Sequence, residues 1–142
     1  MAAFALVVAR FYEDLAERLE QGARAEFEQS GHTVEVFDVV GAFELAPAAA
    51  YAAAGGRFAG VACLGAVIRG ETDHYDWVCA AASYGIQKVS LDSGVPCSFG
   101  VLTVDSYEQA LARSGGDKRD SGAHAARAVL ALAEIRSQLA LS

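Results

Sequence analysis

The sequence predicts an α/β fold, a three-layer αβα sandwich around a four-stranded parallel sheet. Three observations carry that expectation. Four apolar runs of strand length recur along the chain, and each is followed by a stretch with helical spacing. The runs are apolar with little interruption, as in strands covered on both faces. At 142 residues, 54% of them hydrophobic and 20% charged, the chain suits one core and a single domain over residues 1–142.

Ala3–Ala9 reads AFALVVA and opens the chain with a buried strand. Residues 12–29 turn to helical spacing, with Leu15, Leu19, Ala23 and Phe27 on one face, and Gly31 stands where the C-cap belongs. In Thr33–Val39, Val34 and Val36 alternate with His32, Glu35 and Asp38, the pattern of a strand. Residues 46–54 form an alanine-rich helix that stops at Gly55-Gly56. A third strand is expected over 58–64, and a long helix over 72–92 closed by Ser93-Gly94. Cys97–Val104 is the fourth strand, and helices over 106–114 and 121–139 complete the chain. Pro47 and Pro96 fall at element starts, where a missing N–H costs little. No linker or internal repeat interrupts the alternation, so parallel strands with right-handed crossovers follow, in a flavodoxin-like topology.

Eleven Lys and Arg against eighteen Asp and Glu give a net charge of −7. Such a surface repels a phosphate backbone and speaks against nucleic acid as a partner. Apolar runs too short for a bilayer, and no basic leader before a cleavage site, suggest a soluble cytoplasmic protein with no membrane partner. Cys63, Cys79 and Cys97 show no C-x-x-C spacing and read as small hydrophobes in a reducing compartment, with neither a disulfide nor a metal site. The sequence has no dinucleotide fingerprint after the first strand, no P-loop and no nucleophile elbow.

In a parallel sheet the segments that follow the strands gather on one edge, where ligands bind. Four such segments carry the candidate chemistry. Gly70-Glu71-Thr72-Asp73-His74 follows the third strand and opens the long helix, with Thr72 as an N-cap and first-turn amides able to hold an anion. His74 lies in that turn, where the helix dipole favours a neutral, proton-accepting imidazole; a plain capped helix with a surface histidine is the alternative. Gly41-Ala42-Phe43-Glu44 sets main-chain groups, a ring and a carboxylate at a strand exit, or else Phe43 packs in the core and Glu44 starts the next helix. Phe11 offers a ring for stacking or a core aromatic. Arg113, before Gly115-Gly116, could grip a phosphate bidentately or complement its own helix C-terminus. His32 and His124 read as surface residues, and Asp117-Lys118-Arg119-Asp120 as a solvated mixed-charge loop.

Taken together, Ala9-Arg10-Phe11-Tyr12, Gly41-Ala42-Phe43-Glu44-Leu45, the block GAVIRGETDH over 65–74, FGVLT over 99–103, Glu108-Gln109-Ala110 and Arg113 resemble the lumazine synthase family of riboflavin biosynthesis. The likeness runs in order from about Phe4 to Ile135. It implies condensation of 5-amino-6-ribitylamino-2,4-pyrimidinedione with 3,4-dihydroxy-2-butanone 4-phosphate to 6,7-dimethyl-8-ribityllumazine, the penultimate step of that pathway, with no metal or organic cofactor. By resemblance Phe11 stacks on the pyrimidine, the main chain of Ala42 and Phe43 with the Glu44 carboxylate holds the ribityl chain, and Ala66, Val67 and Ile68 line the ring pocket. Gly70, Glu71, Thr72 and Arg113 take the phosphate, and His74 moves protons. Phe99 and Arg113 reach the site from a neighbouring subunit of a pentamer, or of a multiple of it, and riboflavin synthase is a further candidate partner. The alanine-rich stretches 46–54 and 123–133 suit close burial against such a neighbour.

The sequence departs from the family pattern at three places. Val40 and Ala46 replace two prolines around Gly-Ala-Phe-Glu, with Pro47 one place later. Ser121 and His124 stand where the family commonly has Lys and Glu, so Lys118 or Arg119 would have to supply the missing cation. The first strand begins at once, with no segment ahead of it to add to a neighbour's sheet. A weakened paralogue that serves as a ligand-binding or structural shell protein is the alternative these departures raise. A flavin-binding module of similar layering is disfavoured, because Arg10-Phe11-Tyr12 has no Ser, Thr or Gly to cradle a cofactor phosphate.

Overall fold

The computed structural model describes residues 1–116 and 118–139. Strands β1 (Ala3–Ala9), β2 (Thr33–Val39), β3 (Gly60–Ile68) and β4 (Cys97–Val104) form one all-parallel sheet in the order β2-β1-β3-β4. Helices α1 (Glu13–Gln29), α2 (Leu45–Ala54), α3 (His74–Ser93), α4 (Tyr107–Arg113) and α5 (Ser121–Gln138) supply the crossovers. This is the three-layer αβα sandwich expected from the alternation, with the flavodoxin-like order.

Two apolar layers hold it. On one face Phe4, Leu6, Val8 and Leu64 pack against Leu15, Leu19 and Phe27 of α1 and Val129 of α5. On the other, Val7, Val61 and Cys63 pack against Leu45 and Ala49 of α2 and Ile86 of α3. Each strand feeds both layers, which is why the apolar runs do not alternate. The small residues of α5 serve this packing: Gly122 sits so close to α1 that a Cβ there would lie 2.1 Å from the Leu19 carbonyl oxygen, and Ala123, Ala125 and Ala126 are buried within the chain. Gly31 (φ 85°) and Gly94 (φ 73°) close α1 and α3 in the left-handed region that glycine tolerates.

Two boundaries differ from the sequence reading. The third strand runs to Ile68 and begins at Gly60, not Phe58, so Gly65–Ile68 belong to the sheet; the loop expected from Gly65 onwards starts only after Ile68. Pairing with β4 explains the extension: Gly65, Ala66, Val67 and Ile68 face Val101, Leu102, Thr103 and Val104 in register. The long helix begins at His74 with Asp73 as its N-cap residue, so Thr72 is not the N-cap. The Thr72 hydroxyl instead accepts the His74 N–H at 3.3 Å. No helix among the described residues is long and apolar enough to cross a membrane.

Candidate active site

The connection after β1 passes to α1 on one side of the sheet, and β3 then pairs on β1's other edge. The strand order therefore reverses between β1 and β3, and a crevice opens at their carboxyl ends. A cleft of about 640 Å³ lies there. Its walls come from four separate segments: Phe11 after β1, Ala42, Phe43 and Glu44 after β2, Ala66, Val67 and Ile68 at the end of β3, and His74 at the start of α3.

Each segment is held by local chemistry. Arg10 is tied by its Nε to Asp38 at 2.8 Å and by its terminal nitrogens to Glu17 and Glu20, which clamps the β1 exit to β2 and α1. Phe11 is left projecting, 72% exposed, with its ring edge-on to Tyr12 at 4.9 Å. Phe43 is likewise 60% exposed, so neither ring is a core aromatic. Residues Ala42–Glu44 form a short 3-10 turn, and Glu44 Oε1 accepts the Gly41 N–H at 3.0 Å. One carboxylate oxygen thus shapes the turn. Ala66 and Val67 are buried and form the cleft floor.

Arg69 fixes the next segment. Its Nε donates to Asp105 at 2.9 Å, a second nitrogen lies 3.7 Å from Asp76, and the guanidinium stacks 4.2 Å over the Tyr75 ring. The loop after β3 is thereby bound to the loop after β4. Gly70, Glu71 and Thr72 lie in that exposed loop and do not line the cleft. Trp77, one turn into α3, does line it. Neither Trp77 nor Tyr12 was singled out from the sequence, although Trp77 stands three residues after His74, a helical neighbour on the same side.

Phe99 and Arg113 are elsewhere. They line a second cleft, of about 350 Å³, along the outer edge of β4, together with Arg119, Ser121 and His124. Arg113 donates from its guanidinium to the Gln109 carbonyl of its own helix at 3.1 Å. His124 is exposed, as expected, whereas His32 is half-buried, accepting the Ala2 N–H at 3.0 Å and packing edge-on to Phe4. Lys118 is exposed outside both clefts, and Asp117 lies outside the described residues.

The cysteines stand apart from this chemistry. Cys63 and Cys97 are buried and Cys79 half-buried. Burial pushes the Cys97 thiol up to about 11 and raises those of Cys63 and Cys79 as well. None is a thiolate near neutrality. Among the described residues no group of three or more His, Cys, Asp and Glu could hold a metal ion.

Fold and cleft define a parallel α/β protein with an open cleft at the switch point of its sheet, the place where such folds bind small molecules. The family model for 6,7-dimethyl-8-ribityllumazine synthase matches residues 1–137. Proteins named 6,7-dimethyl-8-ribityllumazine synthase are similar along most of the chain. That of Salinibacter ruber is 43% identical over 139 residues, covering 96% of this chain and 89% of the relative. That of Erythrobacter litoralis is 42% identical over 138 residues, covering 97% and 98%. A chloroplastic one from Spinacia oleracea is 42% identical over 134 residues, 93% of this chain, and the match spans 60% of that longer protein. The chain belongs to the 6,7-dimethyl-8-ribityllumazine synthase family, a family of transferases.

Proposed function

We propose that this chain condenses 5-amino-6-ribitylamino-2,4-pyrimidinedione with 3,4-dihydroxy-2-butanone 4-phosphate, releasing phosphate and water and forming 6,7-dimethyl-8-ribityllumazine. The observation that carries this reading is the switch-point cleft, where exposed rings and an imidazole surround a floor of small apolar residues. Phe11 stacks on the pyrimidine, Ala66, Val67 and Ile68 form the ring pocket, and Ala42, Phe43 and the second oxygen of Glu44 take the ribityl hydroxyls. The loop of Gly70, Glu71 and Thr72 takes the phosphate, and His74 carries protons during imine formation and phosphate loss. An aryl amine and a ketone react readily once held in contact, and such positioning supplies ~7–11 kcal/mol in the best intramolecular models. Substrate placement is therefore the main task, and one proton carrier suffices.

The site is shared between copies of the chain. A neighbour's edge cleft brings Phe99 and Arg113 against the switch-point cleft, and Arg113 meets the phosphate. Two surfaces favour such an assembly. Trp77, Tyr84 and Leu91 recur every seven residues on the exposed face of α3, each more than 70% exposed, an apolar seam unsuited to water. Beside it an apolar groove of about 510 Å³ runs between α2 and α3, lined by Ala46, Ala50, Ala54 and Gly85. The assembly is a pentamer or a multiple of it, of one-domain protomers in the cytoplasm, and riboflavin synthase is a candidate partner.

Mixing the purified protein with both substrates and following lumazine absorbance and fluorescence tests the activity. Steady product formation is expected. Protein that binds the pyrimidine yet forms no lumazine would overturn the reading in favour of a shell protein. Light scattering checks the assembly: a monomer mass across micromolar concentrations would contradict it.

A further inference from the structure

The edge cleft along β4 carries two guanidiniums, Arg113 and Arg119, and no carboxylate among its lining residues. That is unusual in a chain of net charge −7. Arg10, Arg24, Arg57, Arg69 and Arg127 each lie against a carboxylate. Arg113 and Arg119 have no such partner among the described residues. We propose that Arg119 acts with Arg113 as a second phosphate-recognising guanidinium, so that the edge cleft of one protomer grips the phosphate ester through a pair of arginines. The proposal rests on the reading that Arg113 meets the phosphate.

The pair is set up by the backbone. Ser114 and Asp120 form an antiparallel bridge that closes the connection between α4 and α5. The Lys118 and Arg119 N–H groups donate to the Ala112 carbonyl at 2.9 and 3.2 Å, and Gly115 N–H donates to the Arg119 carbonyl at 3.1 Å. Arg113 precedes the bridge and Arg119 lies across from Gly115 on its other side, and the closed loop turns both side chains onto one cleft. From α1, Arg18 buttresses the loop, donating its Nε to the Ser114 hydroxyl at 3.0 Å and a terminal nitrogen to the Leu111 carbonyl at 3.3 Å. The far end is pinned by Asp120, which caps α5 by accepting the Ala123 N–H at 3.1 Å. Within the cleft wall Ser98 is 6% exposed, and its hydroxyl has no hydrogen-bond partner. A cleft bearing two cations, serine hydroxyls and an imidazole, and no carboxylate, suits a dianionic oxyanion. Arg119 contributes only its side chain to that role, because the main-chain bonds hold the loop whatever residue stands there.

The test uses the assembled protein, with inorganic phosphate as the probe. Inhibition by phosphate and the two KM values are measured for Arg119→Ala, Arg119→Lys and Arg113→Ala, with light scattering to confirm unchanged assembly. Arg119→Ala is expected to weaken phosphate inhibition and raise KM for the butanone phosphate by about tenfold, with the pyrimidine KM unchanged and partial rescue by Lys. Phosphate affinity that is unchanged in Arg119→Ala but lowered in Arg113→Ala would overturn the role of Arg119 and leave the reading of Arg113 standing. Unchanged affinity in both, with lumazine still formed, would overturn the phosphate role of the edge cleft altogether. A pyrimidine KM that rises as much as the phosphate one would mark a structural effect and also count against the proposal.

Discussion

The cleft at the switch point and the cleft along β4 are made of different materials. The first has rings at its rim, small apolar side chains on its floor and one imidazole; the second has two guanidiniums, an imidazole and hydroxyls beside a single ring. A planar heterocycle with a polyol tail suits the first, and a phosphate ester suits the second. Neither cleft alone offers both, and an edge strand with its cation-bearing loop is a surface that a second copy can meet. Under the proposed function the two clefts act as half-sites, and variants in one can be set against variants in the other.

The largest effect is expected from His74→Ala in the first cleft. Turnover should fall by ~10²–10⁴-fold, the range for a fully used acid–base group, while pyrimidine binding stays nearly intact. Single-turnover kinetics with pre-bound pyrimidine measure this directly. Loss of pyrimidine binding along with turnover would move His74 from proton transfer to ligand positioning.

Arg113→Ala in the second cleft should weaken use of the butanone phosphate by about 1.5–3 kcal/mol in kcat/KM, the value of a charge-assisted hydrogen bond to an anion. Arg113→Lys should recover little, because an ammonium cannot form the planar two-bond contact. Varying each substrate in turn separates this from the His74 effect. Unchanged butanone-phosphate kinetics would remove Arg113 from the site.

Phe11→Ala should cost about 0.5–1.5 kcal/mol in pyrimidine affinity, the increment of one aromatic pair beyond simple burial. The chain has one tryptophan, Trp77, and it lines this cleft, so its emission reports binding without turnover. Pyrimidine affinity equal to that of the parent protein would show that the ring is not stacked.

Much of this division was legible in the residues, though unevenly. Unbroken apolar runs gave the strands, and helical spacing with glycine ends gave the helices, because burial on both faces and left-handed caps leave marks in the sequence itself. The end of β3 was not legible: Ala66, Val67 and Ile68 are strand because β4 pairs with them, a long-range fact that no local pattern carries. Exposure of Phe11 and Phe43 also ran against residue statistics, which place phenylalanine in cores. Only the combined motifs pointed outward. That Arg113 and Arg119 line one cleft depends on how the chain between α4 and α5 folds back on itself, where the sequence showed only a charged loop.

The smallest effect lies outside both clefts. Burial raises the Cys63 and Cys97 thiols above their unfolded values, Cys97 to about 11, so the unfolded chain loses these protons first. Stability should be intact below about pH 8.5 and fall as the pH climbs beyond it, by at most about 1.4 kcal/mol per pH unit for each thiol. Urea midpoints at pH 8 and pH 10.5 for the parent protein and Cys97→Ala check this; the variant should lose less. An equal loss in both would assign the alkaline sensitivity to other groups.

The most direct test of the shared site is complementation between the two half-site variants. His74→Ala and Arg113→Ala chains, each impaired alone, are co-expressed with different tags, and mixed assemblies are isolated and assayed at limiting butanone phosphate. If each site joins the first cleft of one protomer to the second cleft of its neighbour, about a quarter of the sites in a random mixture contain neither substitution. Lumazine formation should then recover to about a quarter of the parent rate. A rate that stays at the mean of the two variants would place both halves on one chain and contradict the account.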